Sequence, residues 1–347
     1  MLVDSPPEQR AETAPAPPTR RAVRALGLLT AVLVLVLVAL ASIAIGAKGL
    51  SLGQVWHGLF QDTGTYGDVV VDERLSRTVL GLLAGAALGL SGAVLQALTR
   101  NPLADPGLLG INAGASAAVV TAITFLGVTS LSGYVWFAFL GAAAVGALVW
   151  FLGGSRGATP VRLALAGTAI SAALYGYLQA VMITDQAALG KMRFWTVGSL
   201  SSATDSTITQ VLPFFVAGTL LALGLARPLN AVAMGDDTAR ALGADLHRTR
   251  ALSMLAATVL CGAATAACGP IAFVGLMVPH AVRSFTGPDL RWILPYATVL
   301  SPVLLLGADV AGRVVARPAE LQVGIITALV GGPVFIFLVR RRRTAQL

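Results

Sequence analysis

The side chains that could run chemistry in this chain are sparse, and their spacing argues against catalysis. His57, His247 and His280 stand far apart, and none has another His, Cys or carboxylate at metal-ligand spacing. No nucleophile motif and no phosphate-cradling loop occurs, so the chain brings no ATP site of its own. Cys261 and Cys268 share one apolar run. Seven residues on a helix separate them by about 10 Å, beyond disulfide reach, so two small packing residues are expected. What the spacing does allow is ion pairing by arginine. Arg74 and Arg77 precede an apolar run, and Arg313 lies one helical turn after Asp309. A local i,i+4 pair or snorkelling arginines at an interface would explain them. The functional reading is a basic rim that grips a carboxylate-bearing partner through bidentate guanidinium geometry.

Two further polar segments stand out. Arg100-Asn-Pro-Leu-Ala-Asp-Pro106 holds two prolines in five residues, which a regular helix cannot accommodate. Such backbone is tolerated at a water boundary or lining a cavity. Residues 227–250 form a long charged segment with Ala239, Leu242 and Leu246 at helical spacing. Its arginines are nearly balanced by Asp236, Asp237 and Asp245. A membrane-surface helix would carry a basic face; a mixed-charge one suits docking to another protein.

The elements that position these groups follow from composition. Of 347 residues, 56% are hydrophobic and only 12% charged, with a mean hydropathy of +0.80. A soluble chain carries roughly 25% charge, so this surface must face lipid. The net charge of +8 then reads as membrane orientation rather than nucleic-acid binding. Residues 1–25 are expected to be a disordered cytoplasmic tail, followed by one transmembrane domain over 26–343. Uncharged stretches able to cross about 30 Å of hydrocarbon lie at 26–47, 78–98, 106–128, 131–153, 163–183, 208–226, 292–308 and 321–339. The run 251–279 is too long for one span, and Gly269-Pro270 breaks it. It is divided into a span ending near Cys268 and a shorter one at 271–285, giving ten.

With ten spans and the amino terminus inside, seventeen of the 24 basic residues fall on inside segments. That obeys the positive-inside rule and puts both termini in the cytoplasm. If spans one to five and six to ten are repeats, the odd number makes them inverted, an arrangement common in transporters. Gly81, Gly85 and Gly89, spaced by four, predict a second span packed closely inside the bundle.

The segment Ser91-Gly-Ala-Val-Leu-Gln-Ala-Leu-Thr-Arg-Asn-Pro-Leu-Ala-Asp-Pro-Gly-Leu-Leu-Gly110 resembles a signature of the permease subunits of ABC importers for ferric siderophores, haem and cobalamin. So do Gly269-Pro-Ile-Ala-Phe-Val-Gly-Leu-Met-Val-Pro-His280 and the stretch from Ala308 to Pro333. The resemblance runs from about residue 25 to 343 and implies an all-α polytopic fold, the type II importer permease of about ten transmembrane helices. It further implies two permease subunits (copies or paralogues), two cytoplasmic ABC ATPases holding ATP and Mg, and an extracytoplasmic binding protein, in a bacterial cytoplasmic membrane. This chain would then be a transporter subunit, not an enzyme, with no bound cofactor. By the same resemblance, Arg74, Arg77 and Arg313 receive the binding protein. Gly235, Asp236, Asp237, Ala239, Arg240, Leu242 and Gly243 form the ATPase coupling segment, and Asn101, Leu103 and Thr159 line the cytoplasmic gate. Ser76 stands where the family often has proline. The alternative, an ion-coupled secondary transporter, needs ionisable groups near the bilayer midplane; the spans hold almost none. A membrane-embedded enzyme lacks any metal or nucleophile constellation.

Overall fold

A computed structural model describes residues 20–344 apart from 48, 62–63, 129 and 155–159. The described chain is helical throughout. Seven helices are long and apolar enough to cross a membrane: α1 (Arg20–Ala44), α3 (Tyr66–Leu98), α5 (Leu131–Gly154), α6 (Pro160–Thr184), α8 (Asp205–Gly224), α11 (Leu246–Cys268) and α13 (Leu290–Val315). The shorter apolar stretches of α4 (Ile111–Leu126) and of α14 (Val323–Thr344), with the 13-residue α12 (Val274–Thr286), bring the helices close to the ten spans expected. Four brief helices lie between them: α2 (Leu52–Phe60), α7 (Gln186–Trp195), α9 (Ala226–Ala233) and α10 (Asp236–Ala241).

Several boundaries differ from the sequence reading, each for a local reason. Helix α1 begins at Arg20, so the last residues assigned to the tail are helical; residues 1–19 lie outside the described residues. Helix α3 starts twelve residues before Thr78. Thr65 and Asp68 close a reciprocal capping box there, and Asp72 and Glu73 are solvated on the same helix. The span expected from Pro106 is a 3-10 turn, Pro106–Leu109, then Gly110 in the left-handed region and α4. After Cys268 the chain stays irregular to Phe273, itself left-handed at φ 70°, so α12 starts at Val274 rather than 271. The segment 227–250 is no simple loop, since it holds α9, α10 and the first turn of α11.

Helices α3 and α11 are the most buried spans and form the centre; α1 and α6 are among the most exposed. The packing partners repeat between halves. Helix α3 lies against α13 and α12, and α11 lies against α5 and α4. Exchanging α3 with α11, α4 with α12 and α5 with α13 maps one set onto the other. Small residues make the central contacts possible, as the glycine spacing predicts. A Cβ at Gly85 would sit 2.6 Å from the Cα of Pro302 on α13, and one at Gly92 would collide with the backbone of Gly275 on α12.

Candidate functional site

Charged chemistry gathers at two ends of α3. Twenty-one residues of helix separate Arg77 from Leu98, roughly 30 Å at 1.5 Å per residue, and no ionisable residue lies between them.

At the first end, α3 and α13 bring Arg74 and Arg313 onto the C-terminus of α1, while Arg77 turns to Asp309 and Glu320. Arg74 donates to the carbonyls of Ile43 and Ala44, each at 3.1 Å. Arg313 donates to the Ser42 carbonyl at 2.9 Å and its hydroxyl at 3.0 Å. These carbonyls belong to the last turn of α1, which lacks intrahelical donors, and cations there also complement the helix dipole. Asp309 joins the other two elements. Arg77 holds it with Nη2 at 2.7 Å and Nε at 3.0 Å, and Arg313 holds its second oxygen at 3.1 Å. Glu320 takes the remaining arm of Arg77 at 2.7 Å. An open pocket of about 540 Å³ is lined by Tyr66, Glu73, Arg74, Arg77, Arg313 and Glu320.

The three arginines expected on a rim therefore do lie together, but turned inward. Arg313 is 1% and Arg74 7% exposed, and Asp309 is fully buried. The i,i+4 pair of Asp309 and Arg313 forms as spacing indicates. Ser42, bonded also to Thr78 at 2.9 Å, carries no signal in the sequence, being one serine in an apolar run.

At the other end, Thr99 closes α3 and Arg100 adopts φ 51°, rare for a side chain of its size. Asn101 and Leu103 follow in an exposed turn, with the Asn101 side chain accepting from the Leu103 N–H at 2.9 Å. Asn101 borders a cavity of about 330 Å³ with Thr99, Asp105 and, from α6, Val161 and Thr168. Thr159 lies outside the described residues.

The charged segment sits beside this turn. Gly235 has φ 115° and ψ 153°, a conformation open essentially to glycine alone, and starts α10. Ala239 is fully buried against Val232 and Leu246. Leu242, expected on that same face, is 63% exposed. The helix stops at Ala241 and Gly243 turns left-handed at φ 76°, so the helical period is lost before Leu242. Asp237 and Arg240 form an exposed pair at 3.0 Å. Asp236 is bonded by Arg100 and, at 2.7 Å, by Arg250. Burial opposes its charged form, but the bonds from Arg250 and Arg100 outweigh it and hold the carboxyl below its ordinary range. Neither Arg100 nor Arg250 was marked by the sequence as a partner of Asp236.

The chain is 47% identical over 327 residues to the ferric enterobactin transport system permease protein of Escherichia coli (strain K12), covering 93% of this chain and 96% of that one. It is 39% identical over 320 residues to the iron(3+)-hydroxamate import system permease protein of Bacillus subtilis (strain 168), covering 91% and 83%. A solved structure of an inward-facing metal-chelate type ABC transporter superposes with a TM-score of 0.81 at 28% identity, covering 91% of this chain and 99% of that one. The model of the FecCD transport family matches residues 33–341. By that match and these identities, the chain belongs to the FecCD transport family.

Proposed function

We propose that this chain is one of two permease subunits of an ATP-driven importer that carries a ferric siderophore into the cytoplasm. The observation that carries the reading is the distribution of charge. A central helix without ionisable residues over roughly 30 Å links a carboxylate-and-arginine cluster at one end to a mixed-charge helix at the other. This central helix offers no ionisable group at midplane for a coupling ion, which supports energy supplied by a docked partner. The 47% identity to a permease named for ferric enterobactin supports that class of cargo.

In this reading the end with Arg74, Arg77 and Arg313 faces outward and receives the binding protein. The turn with Asn101 and Leu103, together with Thr159 from the segment that follows α5 in the sequence, is the cytoplasmic gate. Gly235 to Gly243 meets the ATPase, with Leu242 and Met234, 63% and 59% exposed, as apolar contacts. ATP and Mg belong to the ATPase. The positive-inside count supports this orientation, with both termini in the cytoplasm of a bacterial inner membrane. The test is uptake of labelled ferric enterobactin by proteoliposomes holding the permease, its ATPase and its binding protein. Uptake should require ATP hydrolysis; uptake driven by a proton gradient alone would overturn the reading in favour of a secondary transporter.

A further inference from the structure

We infer that Arg100 is the positioning residue that ties the cytoplasmic turn to the coupling helix α10, so that motion of α10 is transmitted to Asn101 and Leu103. This rests on the importer reading above and adds to it a specific mechanical link.

Three observations carry it. First, the Arg100 guanidinium spans a joint. Its Nε donates to the Val232 carbonyl of α9 at 2.8 Å, and its Nη2 donates to Asp236, the first residue of α10. The two helices are connected through Met234 and Gly235, and Gly235 holds its glycine-only conformation there. A hinge of that kind absorbs rotation of α10 relative to α9. A fork that grips both sides of the hinge follows any such rotation. Second, Arg100 is itself held at φ 51°, a left-handed conformation unfavourable for a residue with a Cβ. That turn is closed by the main chain, with the Asn101 N–H bonded to the Gln96 carbonyl at 3.2 Å, so one helix cap sets both the exit of the Arg100 fork and the start of the turn at Asn101. Third, Asp236 is anchored from behind. Arg250 of α11, only 14% exposed, bonds its other oxygen at 2.7 Å. The chain of bonds thus runs from the central helix α11 through Asp236 to the end of the central helix α3.

A plain structural ion pair would need only charge at position 100. Bridging a carbonyl and a carboxylate on two helices needs the planar fork of arginine, which a lysine ammonium does not provide. The variants separate these roles. Arg100→Gly keeps the left-handed backbone accessible and removes the fork. Arg100→Lys keeps the charge. Asp236→Asn keeps α10 and weakens the grip.

The experiment measures chelate moved per ATP hydrolysed, with radiolabelled ferric enterobactin, in proteoliposomes of the assembled importer. Arg100→Gly and Arg100→Lys should each lower that ratio by about tenfold, the scale of one lost coupling contact, while ATP turnover continues. Asp236→Asn should lower it in the same direction, which keeps the test valid if Arg100→Gly assembles poorly. A full ratio in Arg100→Lys, or an unchanged ratio in both Arg100→Gly and Asp236→Asn beside a working wild type, overturns the tether alone. Failure of the wild type to couple uptake to ATP overturns the importer reading and the tether together.

Discussion

Arg77 and Asp309, 232 positions apart in the chain, form a bidentate pair in which Nη2 and Nε of the arginine lie 2.7 and 3.0 Å from the carboxylate. Asp309 has no exposure and also neutralises Arg313, so one carboxylate balances two guanidinium groups against the end of α1.

Removing that carboxylate should be costly. Asp309→Ala leaves two buried or nearly buried arginines without their shared counter-charge, and breaking such a pair costs roughly 3–5 kcal/mol. Thermal unfolding in detergent should show a large drop in midpoint. A variant as stable as wild type would mean the cluster does not hold α1, α3 and α13 together.

Glu320 is the exposed competitor in the same cluster, with its side chain 36% exposed. If the arginines receive carboxylates of a binding protein, Glu320→Gln should free one arm of Arg77 and tighten docking several-fold. It should change stability by less than about 1 kcal/mol, as for surface pairs. Arg77→Gln should weaken docking. Arg77→Glu is a poorer probe, because it sets a third carboxylate against Asp309 and Glu320. Surface plasmon resonance of binding protein over the reconstituted permease reads both effects; equal affinities in all three proteins would remove the docking role.

The contact at Gly85 should tolerate no side chain. Gly85→Ala presses a methyl to 2.6 Å from the Pro302 backbone, and overpacking of this kind costs about 1–3 kcal/mol. Gly307→Ala on the facing helix meets nothing within 4 Å and should stabilise α13 by up to about 1 kcal/mol through helix propensity. Melting curves of the two alanine variants should therefore move in opposite directions.

Gly243 has φ 76° with open space where a Cβ would point. Gly243→Ala introduces backbone strain of about 1–2 kcal/mol and should leave coupling largely intact. Gly243→Arg adds a large cation beside exposed Leu242 and should uncouple ATP hydrolysis from uptake. Normal coupling in the arginine variant would place the ATPase contact elsewhere.

The Asp236 carboxyl sits below its ordinary value of 3.8 because its bonds to Arg250 and Arg100 outweigh its burial. A depressed folded value means that the stabilisation is complete above about pH 4 and fades as pH falls through the folded value. The stability difference between wild type and Asp236→Asn should be constant from about pH 5 to 9 and shrink only in stronger acid. A difference that declined between neutral pH and pH 5 would show that the arginines do not hold the carboxylate as described.

Much of this architecture was readable because crossing a bilayer is a one-dimensional demand. Apolar length and the placement of arginines were enough to find ten spans, and Gly269-Pro270 marked the break after α11. The spacing of Gly81, Gly85 and Gly89 pointed to a span packed inside the bundle, as α3 is. The short helices α2 and α7 escaped notice, since neither is long enough to impose a clear period. The start of α12 depends on the left-handed Phe273, a conformation fixed by tertiary packing rather than residue type. The decisive partners were the least visible. Arg77 with Asp309, and Arg100 with Asp236, meet across helices, and no local pattern joins residues so far apart. The arginines themselves could be singled out from their positions beside apolar runs, but whether they faced outward or inward could not.

Helix α3 has 33 residues, about 50 Å of rod through a hydrocarbon layer of about 30 Å. Packed at the centre of the helices, it has less room to lean toward membranes of different thickness than the exposed α1, which should absorb more of any such mismatch. Lipid composition should therefore act on this protein first at its circumference, leaving the axis as a fixed gauge between the two charged ends.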